Sequence, residues 1–447
     1  MVNEDNAADY DVGVIGLGYV GLTLATALAD VGMRVVGIEI REDVVDLVNS
    51  GKAHFSETGL NDHLSNVTRS GNLRALTDFE PGTTCGVYII TVGTPLDRDG
   101  LPRLDFIRNA TRQVGAAMPD GALVIVRSTV KVGTTREIVS PILAETGKSF
   151  HIAMCPERTL EGEAMKELRS LPQIVGADEE ETIKMATRFF SELTPTIIKM
   201  SSLETAEITK LVDNTYRDVK FAFANEVARA CEAYGVNAME VISNGKIGYK
   251  RTDVSLPGLV GGPCLEKDPH IFNHSVAERG ITLEITGAAR LVNERQPIET
   301  VAFIAEQLKT RTTLDKARVA VLGLAFKGYP ETDDLRGSMA LHILRELKKY
   351  PVGAGTVLYD PVISYEMMQR EFPDYEIARS VSEAIAGANV VIIANNHADL
   401  GRMAPAVMVP HMADDGFVYD YWNHFSNLSE AELDQFYFSL GNVRGAR

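Results

Sequence analysis

The stretch Gly261-Gly262-Pro263-Cys264-Leu265, followed by Glu266-Lys267-Asp268-Pro269, sets one cysteine in glycine-rich backbone with a carboxylate four residues on. A thiolate presented in this way can serve as a nucleophile in covalent chemistry. Glycines at 258, 261 and 262 would clear side chains from around the sulfur so that a substrate could approach. A helix starting near Cys264 would bring free N–H groups and a positive dipole end to the thiol, and Lys267 would add to that effect. The competing reading is a Gly-Pro turn around a cysteine that packs as a small apolar side chain.

A second constellation lies near the N-terminus. The apolar run Asp11 to Gly16 reads as a buried strand and leads at once into Gly16-x-Gly18-x-x-Gly21 and a helical apolar pattern. A second strand, Arg34 to Ile38, ends in Glu39, 18 positions after Gly21. In a dinucleotide-binding Rossmann unit such glycines serve the tight turn, the approach of the pyrophosphate and helix packing, while the acid pairs the ribose hydroxyls. Glu39 should repel a 2′-phosphate and so favours NAD over NADP, with Arg41 close by as the opposing feature. Strand-like runs at Val87 to Val92 and Leu123 to Val126 end in Thr91-Val92-Gly93-Thr94-Pro95 and Arg127-Ser128-Thr129-Val130. Loops at the carboxyl ends of strands in a doubly wound sheet should line the cofactor site, although the same residues also make ordinary turns.

From Leu203 to about Tyr234 no Gly or Pro interrupts a helical pattern, and a helix of that length commonly bridges domains or dimerises. Lys210 and Asn214 share one face of it at i, i+4, close in register to Glu207. The last third restarts as α/β, with strand-like runs at Arg318 to Leu322, Thr356 to Tyr359, Val390 to Ala394 and Phe417 to Tyr419, but without a second Gly-x-Gly-x-x-Gly. It should therefore bind something other than a second dinucleotide. The loop Ala325-Phe326-Lys327-Gly328 with Asp333-Asp334-Leu335-Arg336-Gly337 offers a cation and a guanidinium beside glycines, which would suit a pyrophosphate.

These elements need 447 residues, too many for one core. The expected fold is α/β, with two Rossmann-like doubly wound domains joined by a long central helical region. The expected divisions are an NAD-binding domain over 1–200, a central helical domain with the cysteine loop over 201–300, and a nucleotide-binding domain over 301–447. Apolar content of 45% and charged content of 23% are ordinary for a soluble enzyme, and a polar, acidic start without a membrane-length apolar run predicts a cytoplasmic protein. The cysteines at 85, 155, 231 and 264 are far apart, which predicts reduced thiols and neither a disulfide framework nor a metal site. The net charge of −17 opposes binding to nucleic acid or to an anionic membrane.

In combination these residues resemble the UDP-glucose/GDP-mannose dehydrogenase family, the nucleotide-sugar 6-dehydrogenases. The landmarks run in order: Gly16 to Gly21 with Tyr19 and Val20, Val92 to Pro95, Ser128 to Val130, Pro156-Glu157 with Glu161, Lys210 and Asn214, Gly261 to Cys264 with Lys267 and Asp268, and Gly323 to Lys327. The resemblance implies a four-electron oxidation of a primary alcohol at sugar C6 with NAD. Cys264 would be the nucleophile, and Lys210 and Asn214 would stabilise the oxyanion. Asp268, Glu161 and Thr129 would position or deprotonate water with support from Glu157, and which carboxylate is the base stays open. It also implies that Gly16, Gly18, Tyr19, Val20, Gly21, Glu39, Arg41, Val92, Gly93, Thr94, Pro95, Ser128, Thr129 and Lys267 hold the cofactor. Glu157, Arg158, Thr159, Leu160, Lys210, Asn214, Arg251, Gly258, Gly261, Phe326, Lys327 and Arg336 would hold the nucleotide sugar. Arg158-Thr159, where glucose-type members usually have Phe-Leu, and Pro263 and Leu265 around the cysteine with Asp268-Pro269 look more like members acting on N-acetylated or modified hexoses, with a glucose-type UDP-sugar and a dTDP-sugar as the alternatives. A homodimer through the helix 203–234 is the expected assembly. A hydroxyacid-type dehydrogenase making a single hydride transfer, or a silent NAD-binding protein, would account for the fingerprint without using the cysteine.

Overall fold

The computed structural model describes residues 8–352, 355–425 and 436–442. Contacts divide the chain into two compact units, one of Met1–Asp213 with His270–Thr282 and the other of Asn214–Pro269 with Leu283–Arg447. The central region 201–300 is thus shared between two packing units.

The first unit is built on an eight-stranded sheet in the order β3-β2-β1-β4-β5-β6-β7-β8. Its strands are β1 (Tyr10–Ile15), β2 (Val35–Ile38), β3 (Leu73–Leu76), β4 (Cys85–Ile90), β5 (Ala122–Val126), β6 (Phe150–Met154), β7 (Gln173–Gly176) and β8 (Ile197–Met200). All neighbours are parallel except β6 and β7, which meet antiparallel through Met154 and Gly176. Central strands buried on both faces read as continuous apolar runs, and β5, Ala-Leu-Val-Ile-Val, is buried throughout. The order reverses between β1 and β4, the switch point where doubly wound sheets bind ligands.

The second unit carries a six-stranded, all-parallel sheet. Its strands are β9 (Val319–Leu322), β10 (Thr356–Tyr359), β11 (Glu376–Ile377), β12 (Val390–Ile393), β13 (Phe417–Asp420) and β14 (Tyr437–Ser439). The order β11-β10-β9-β12-β13-β14 is the 3-2-1-4-5-6 arrangement of a complete Rossmann sheet. The long helix runs uninterrupted over Leu203–Tyr234, as its composition predicts.

Candidate active site

In the first unit a cleft of about 880 Å³ opens at the β1/β4 switch point, with Gly16, Gly18, Glu39, Ile40, Val92, Gly93 and Phe106 in its wall. The helix Tyr19–Asp30 starts beside it with no side-chain cap and no acid in its first turn, leaving its N–H groups for an anion. A Cβ on Gly21 would come within 1.8 Å of the Gly16 carbonyl, so the helix can enter this close only at a glycine. A Cβ on Gly18 or Gly93 would meet nothing within 4 Å, leaving open cradle on both sides. Glu39 accepts the Leu17 N–H at 3.1 Å and faces the cleft. These residues fit a dinucleotide.

Other predicted cofactor residues are engaged within the protein. Arg41 forms an exposed two-point pair with Asp43, at 3.1 Å from Nε and 2.5 Å from Nη2. The Tyr19 hydroxyl donates to the buried Glu57 carboxylate, which also accepts the Gly162 N–H at 2.6 Å and the Ala164 N–H at 2.9 Å. The Tyr19 side chain therefore ties the glycine loop to the Glu161 loop. Thr94 donates to the Thr129 carbonyl at 2.5 Å and Ser128 to the Val92 carbonyl at 2.7 Å, so these two hydroxyls hold the β4 and β5 loops to each other.

Around Glu157 the backbone turns on its own carboxylates. Glu157 accepts the Thr159 N–H, and Glu167 accepts the Leu160 N–H at 2.6 Å. Arg158 donates to the Pro172 carbonyl at 2.7 Å and lies 3.5 Å from Asp213. Arg127, expected only as part of a loop lining the cofactor site, is a buried guanidinium that donates to the Cys155 carbonyl at 3.2 Å and to Gln173 at 2.8 Å. Burial pushes its pKa down, and the charge of Glu157 opposes that shift. Its place immediately before Ser128-Thr129 was the available signal. Glu207, on the long helix, accepts the Gly133 N–H at 2.6 Å and both the N–H and the hydroxyl of Thr135, at 2.9 and 2.6 Å. Burial raises its pKa, and these hydrogen bonds oppose the rise.

In the second unit, Cys264 is exposed whereas Cys85, Cys155 and Cys231 are buried. Burial drives the Cys85 and Cys155 thiols up to about 12. The helix expected at Cys264 is a single turn, Gly262–Leu265, ended by Glu266 before the helix Asp268–Ala277 begins, so it carries no macrodipole of consequence. Lys267 is paired with Asp268 at 2.7 Å. The loop glycines also permit close packing. A Cβ on Gly258 would run into the Trp422 ring at 2.9 Å, on Gly261 into the Gly337 carbonyl at 2.3 Å, and on Gly262 into the Phe326 ring at 2.5 Å. Larger side chains at these three positions would push the cysteine loop away from those neighbours.

Asp268 is fully buried, with Oδ1 accepting from Lys267 and Oδ2 accepting the Asn214 amide at 2.5 Å. An amide nitrogen carries two hydrogens, so Asn214 keeps a second one to donate. Lys210, one turn earlier on the same helix, is also buried. Arg336 grips Asp334 through Nε and Nη2 at 2.6 to 3.0 Å. The Lys327 ammonium stands 5.4 Å from the Phe326 ring centre and the Arg251 guanidinium 5.3 Å from that of Tyr249. Among the described residues no cluster of His, Cys, Asp and Glu could hold a metal ion, and no helix is long and apolar enough to cross a membrane.

A switch-point cleft with a glycine fingerprint and a ribose-pairing acid, on a chain that also presents an exposed thiol beside a second Rossmann sheet, defines an NAD-dependent oxidoreductase. The chain belongs to the UDP-glucose/GDP-mannose dehydrogenase family. That family's NAD-binding domain matches residues 10–194, its central domain 204–295 and its UDP-binding domain 320–427. A UDP-N-acetyl-D-mannosamine dehydrogenase of Pyrococcus horikoshii is 35% identical over 392 residues, 86% of this chain and 89% of the relative. A UDP-glucose 6-dehydrogenase of Haloferax volcanii is 32% identical, covering 86% and 91% respectively. The solved structure of the P. horikoshii UDP-D-ManNAc dehydrogenase matches with a TM-score of 0.86 at 31% identity over 97% of this chain and 99% of that one. That of the UDP-N-acetyl-mannosamine dehydrogenase of Staphylococcus aureus matches with 0.83 at 27% identity, covering 97% and 99%.

Proposed function

We propose that the protein oxidises the C6 primary alcohol of a UDP-N-acetylhexosamine to the uronic acid, in two successive two-electron steps through a thioester on Cys264. UDP-N-acetyl-D-mannosamine is the first candidate, since relatives of that name match over most of the chain and the Arg158-Thr159 departure from the glucose pattern points the same way. The observation that carries the reading is the exposure of Cys264, alone of the four cysteines, on a loop locked by close glycine contacts.

NAD, which Gly16, Gly18, Gly93 and Glu39 would hold, would supply a hydride acceptor for each step. The alcohol loses a hydride and a proton and becomes an aldehyde. An aldehyde carbon has no second hydride to give until a nucleophile adds to it. Sγ of Cys264 forms the C–S bond, and the former carbonyl oxygen takes the negative charge. Loss of the second hydride leaves a thioester, and attack by water breaks the C–S bond, releasing the acid and the thiol. Lys210 and the free N–H of Asn214 would stabilise the oxyanion, a role commonly worth about 3 kcal/mol per donor. Asp268, with Glu161, Thr129 and Glu157, would direct the water. Lys327 and Phe326 would receive the nucleotide moiety, with Arg251 a further candidate for the diphosphate.

The test is NADH formed per sugar consumed, run to completion on UDP-N-acetylmannosamine, UDP-N-acetylglucosamine, UDP-N-acetylgalactosamine, UDP-glucose, dTDP-glucose and GDP-mannose, with Cys264→Ser alongside. Two NADH on one sugar, lost in the variant, is the expected result. One NADH per sugar, or a variant as active as the wild type, would leave the single-hydride reading in its place.

A further inference from the structure

We propose that Arg290 is a positioning residue for Cys264, a buried guanidinium that holds both ends of the thiol-bearing turn. The inference rests on the reading of Cys264 as the nucleophile. Arg290 lies on the helix Glu284–Lys309 and is 2% exposed. Its Nη1 donates to the Leu265 carbonyl at 2.8 Å and its Nη2 to the Val260 carbonyl at 3.0 Å, so one planar group bridges the two carbonyls that flank Gly261 to Cys264. The same Nη1 donates to Oδ1 of Asp218 at 2.7 Å, a fully buried carboxylate on the long helix.

Two asparagines extend the clamp. Asn293, one turn beyond Arg290, donates to Oδ1 of Asp218 at 2.9 Å and to its backbone carbonyl at 3.0 Å. Asn225 donates to Asn293 at 3.0 Å and grips Gly258 by both backbone groups, accepting its N–H at 3.0 Å and donating to its carbonyl at 3.1 Å. The loop is therefore held at 258, 260 and 265 by side chains from two helices, all of them buried.

A buried ion pair of this kind adds little to stability over a well-packed apolar replacement, so its value lies in fixing geometry. Asp218 is also one turn beyond Asn214 on the same helix face, and Asn214 contacts Asp268. The clamp thus refers the thiol loop and the predicted oxyanion donor to one rigid element. Lysine at 290 would keep a positive charge against Asp218, but a single ammonium lacks the fork needed to span both carbonyls.

The experiment separates the two half-reactions, alcohol to aldehyde and aldehyde to acid, using UDP-N-acetyl-D-mannosamine and its 6-aldehyde as substrates. Oxidation of the alcohol does not need the thiol. Arg290→Lys should slow aldehyde oxidation by roughly 10²-fold, the penalty of an ångström-scale misplacement, while KM for the sugar and the first half-reaction stay within about twofold. Asn225→Ala, which leaves the Arg290–Asp218 pair intact, should shift the same half-reaction in the same direction and carries the test if Arg290→Lys does not fold. Equal losses in both half-reactions, or unchanged aldehyde oxidation in a folded variant, would overturn the proposal. Cys264→Ser distinguishes the two layers. If it oxidises the aldehyde normally, the nucleophile reading itself falls, whereas its collapse beside an unaffected Arg290→Lys removes only the clamp.

Discussion

Replacing Gly262 by alanine tests the packing that seats the thiol loop. Gly262 has φ of +90°, and a Cβ there would lie 2.5 Å from Cδ2 and 2.8 Å from Cε2 of Phe326, below any distance real Cβ atoms adopt. The left-handed backbone costs an L-residue about 1–2 kcal/mol. Forcing the Phe326 ring aside adds about 1–3 kcal/mol of overpacking. The sum is about 2–5 kcal/mol, and at about 2–4 °C per kcal/mol for a unit of 150–250 residues the melting temperature should fall by on the order of 10 °C. Thermal unfolding followed by circular dichroism measures it, and Phe326→Ala separates the two contributions. In that background the ring clash is gone, so Gly262→Ala should cost only the backbone part, a coupling of about 1–3 kcal/mol in the double-mutant cycle. A coupling below about 0.5 kcal/mol, or a Gly262→Ala variant as stable as the wild type, would refute the argument that the loop is seated on Phe326.

Glu207 should make a measurable contribution to the pH dependence of stability. Burial raises its folded pKa above the ordinary glutamate value of 4.5, so between that value and the folded pKa the native state binds more protons than the unfolded one, and its contribution to stability falls as pH rises through that window. Glu207→Gln abolishes this fall but turns an amide toward the Gly133 or Thr135 donors, costing about 1–3 kcal/mol. Urea titrations of both proteins at several pH values from 4.5 upward should show their stability difference narrowing with pH, and a constant difference would contradict the assignment. Iodoacetamide near pH 8 should label Cys264 first, since the Cys85 and Cys155 thiols are pushed up to about 12. Peptide mass spectrometry showing faster labelling at either buried position would contradict the burial. Ile208, Val212, Tyr216 and Phe223 stand exposed at i, i+4, i+8 and i+15 on the long helix, an apolar stripe expected to meet its copy in a homodimer. Sedimentation should give a dimer for the wild type at micromolar concentration and a weaker one for Phe223→Asp. A monomeric wild type would remove the claim.

What could be read before folding was whatever depends on neighbours in sequence. β10 and the helix Leu203–Tyr234 match their predicted bounds, and the cores of β1, β2, β4, β5, β9, β12 and β13 fall within a residue or two of expectation. Each is a continuous apolar run or an uninterrupted helical pattern. β3, with its alternating Leu-Arg-Ala-Leu, and β8, with a half-exposed Ile-Ile-Lys-Met, are short edge strands whose pattern is too weak to stand out. The catalytic candidates were visible as residue types, but their pairings were not. Asp43 and Asp334 lie only two residues from Arg41 and Arg336, yet their presence in the sequence does not say that they form pairs, and nothing local reveals that the Tyr19 hydroxyl finds Glu57, 38 residues away.

The second Rossmann sheet shows another pairing of this kind at a position equivalent to Glu39. Glu39 follows β2 and Asp360 follows β10, the same position in two equivalent sheets, and each carboxylate accepts the N–H one residue past the glycine that ends the first strand, Leu17 in one case and Leu324 in the other. The shorter Asp360 goes on to accept the N–H groups of Ala325, Val362 and Ile363 and is buried, whereas Glu39 lies in the wall of an open cleft. In the second unit four N–H groups, two for each oxygen, satisfy the Asp360 carboxylate, whereas Glu39 accepts those of Leu17 and Arg41 and faces the cleft. Replacing Asp360 would therefore leave the Leu324, Ala325, Val362 and Ile363 N–H groups without their acceptor, a larger loss than the same change at Glu39.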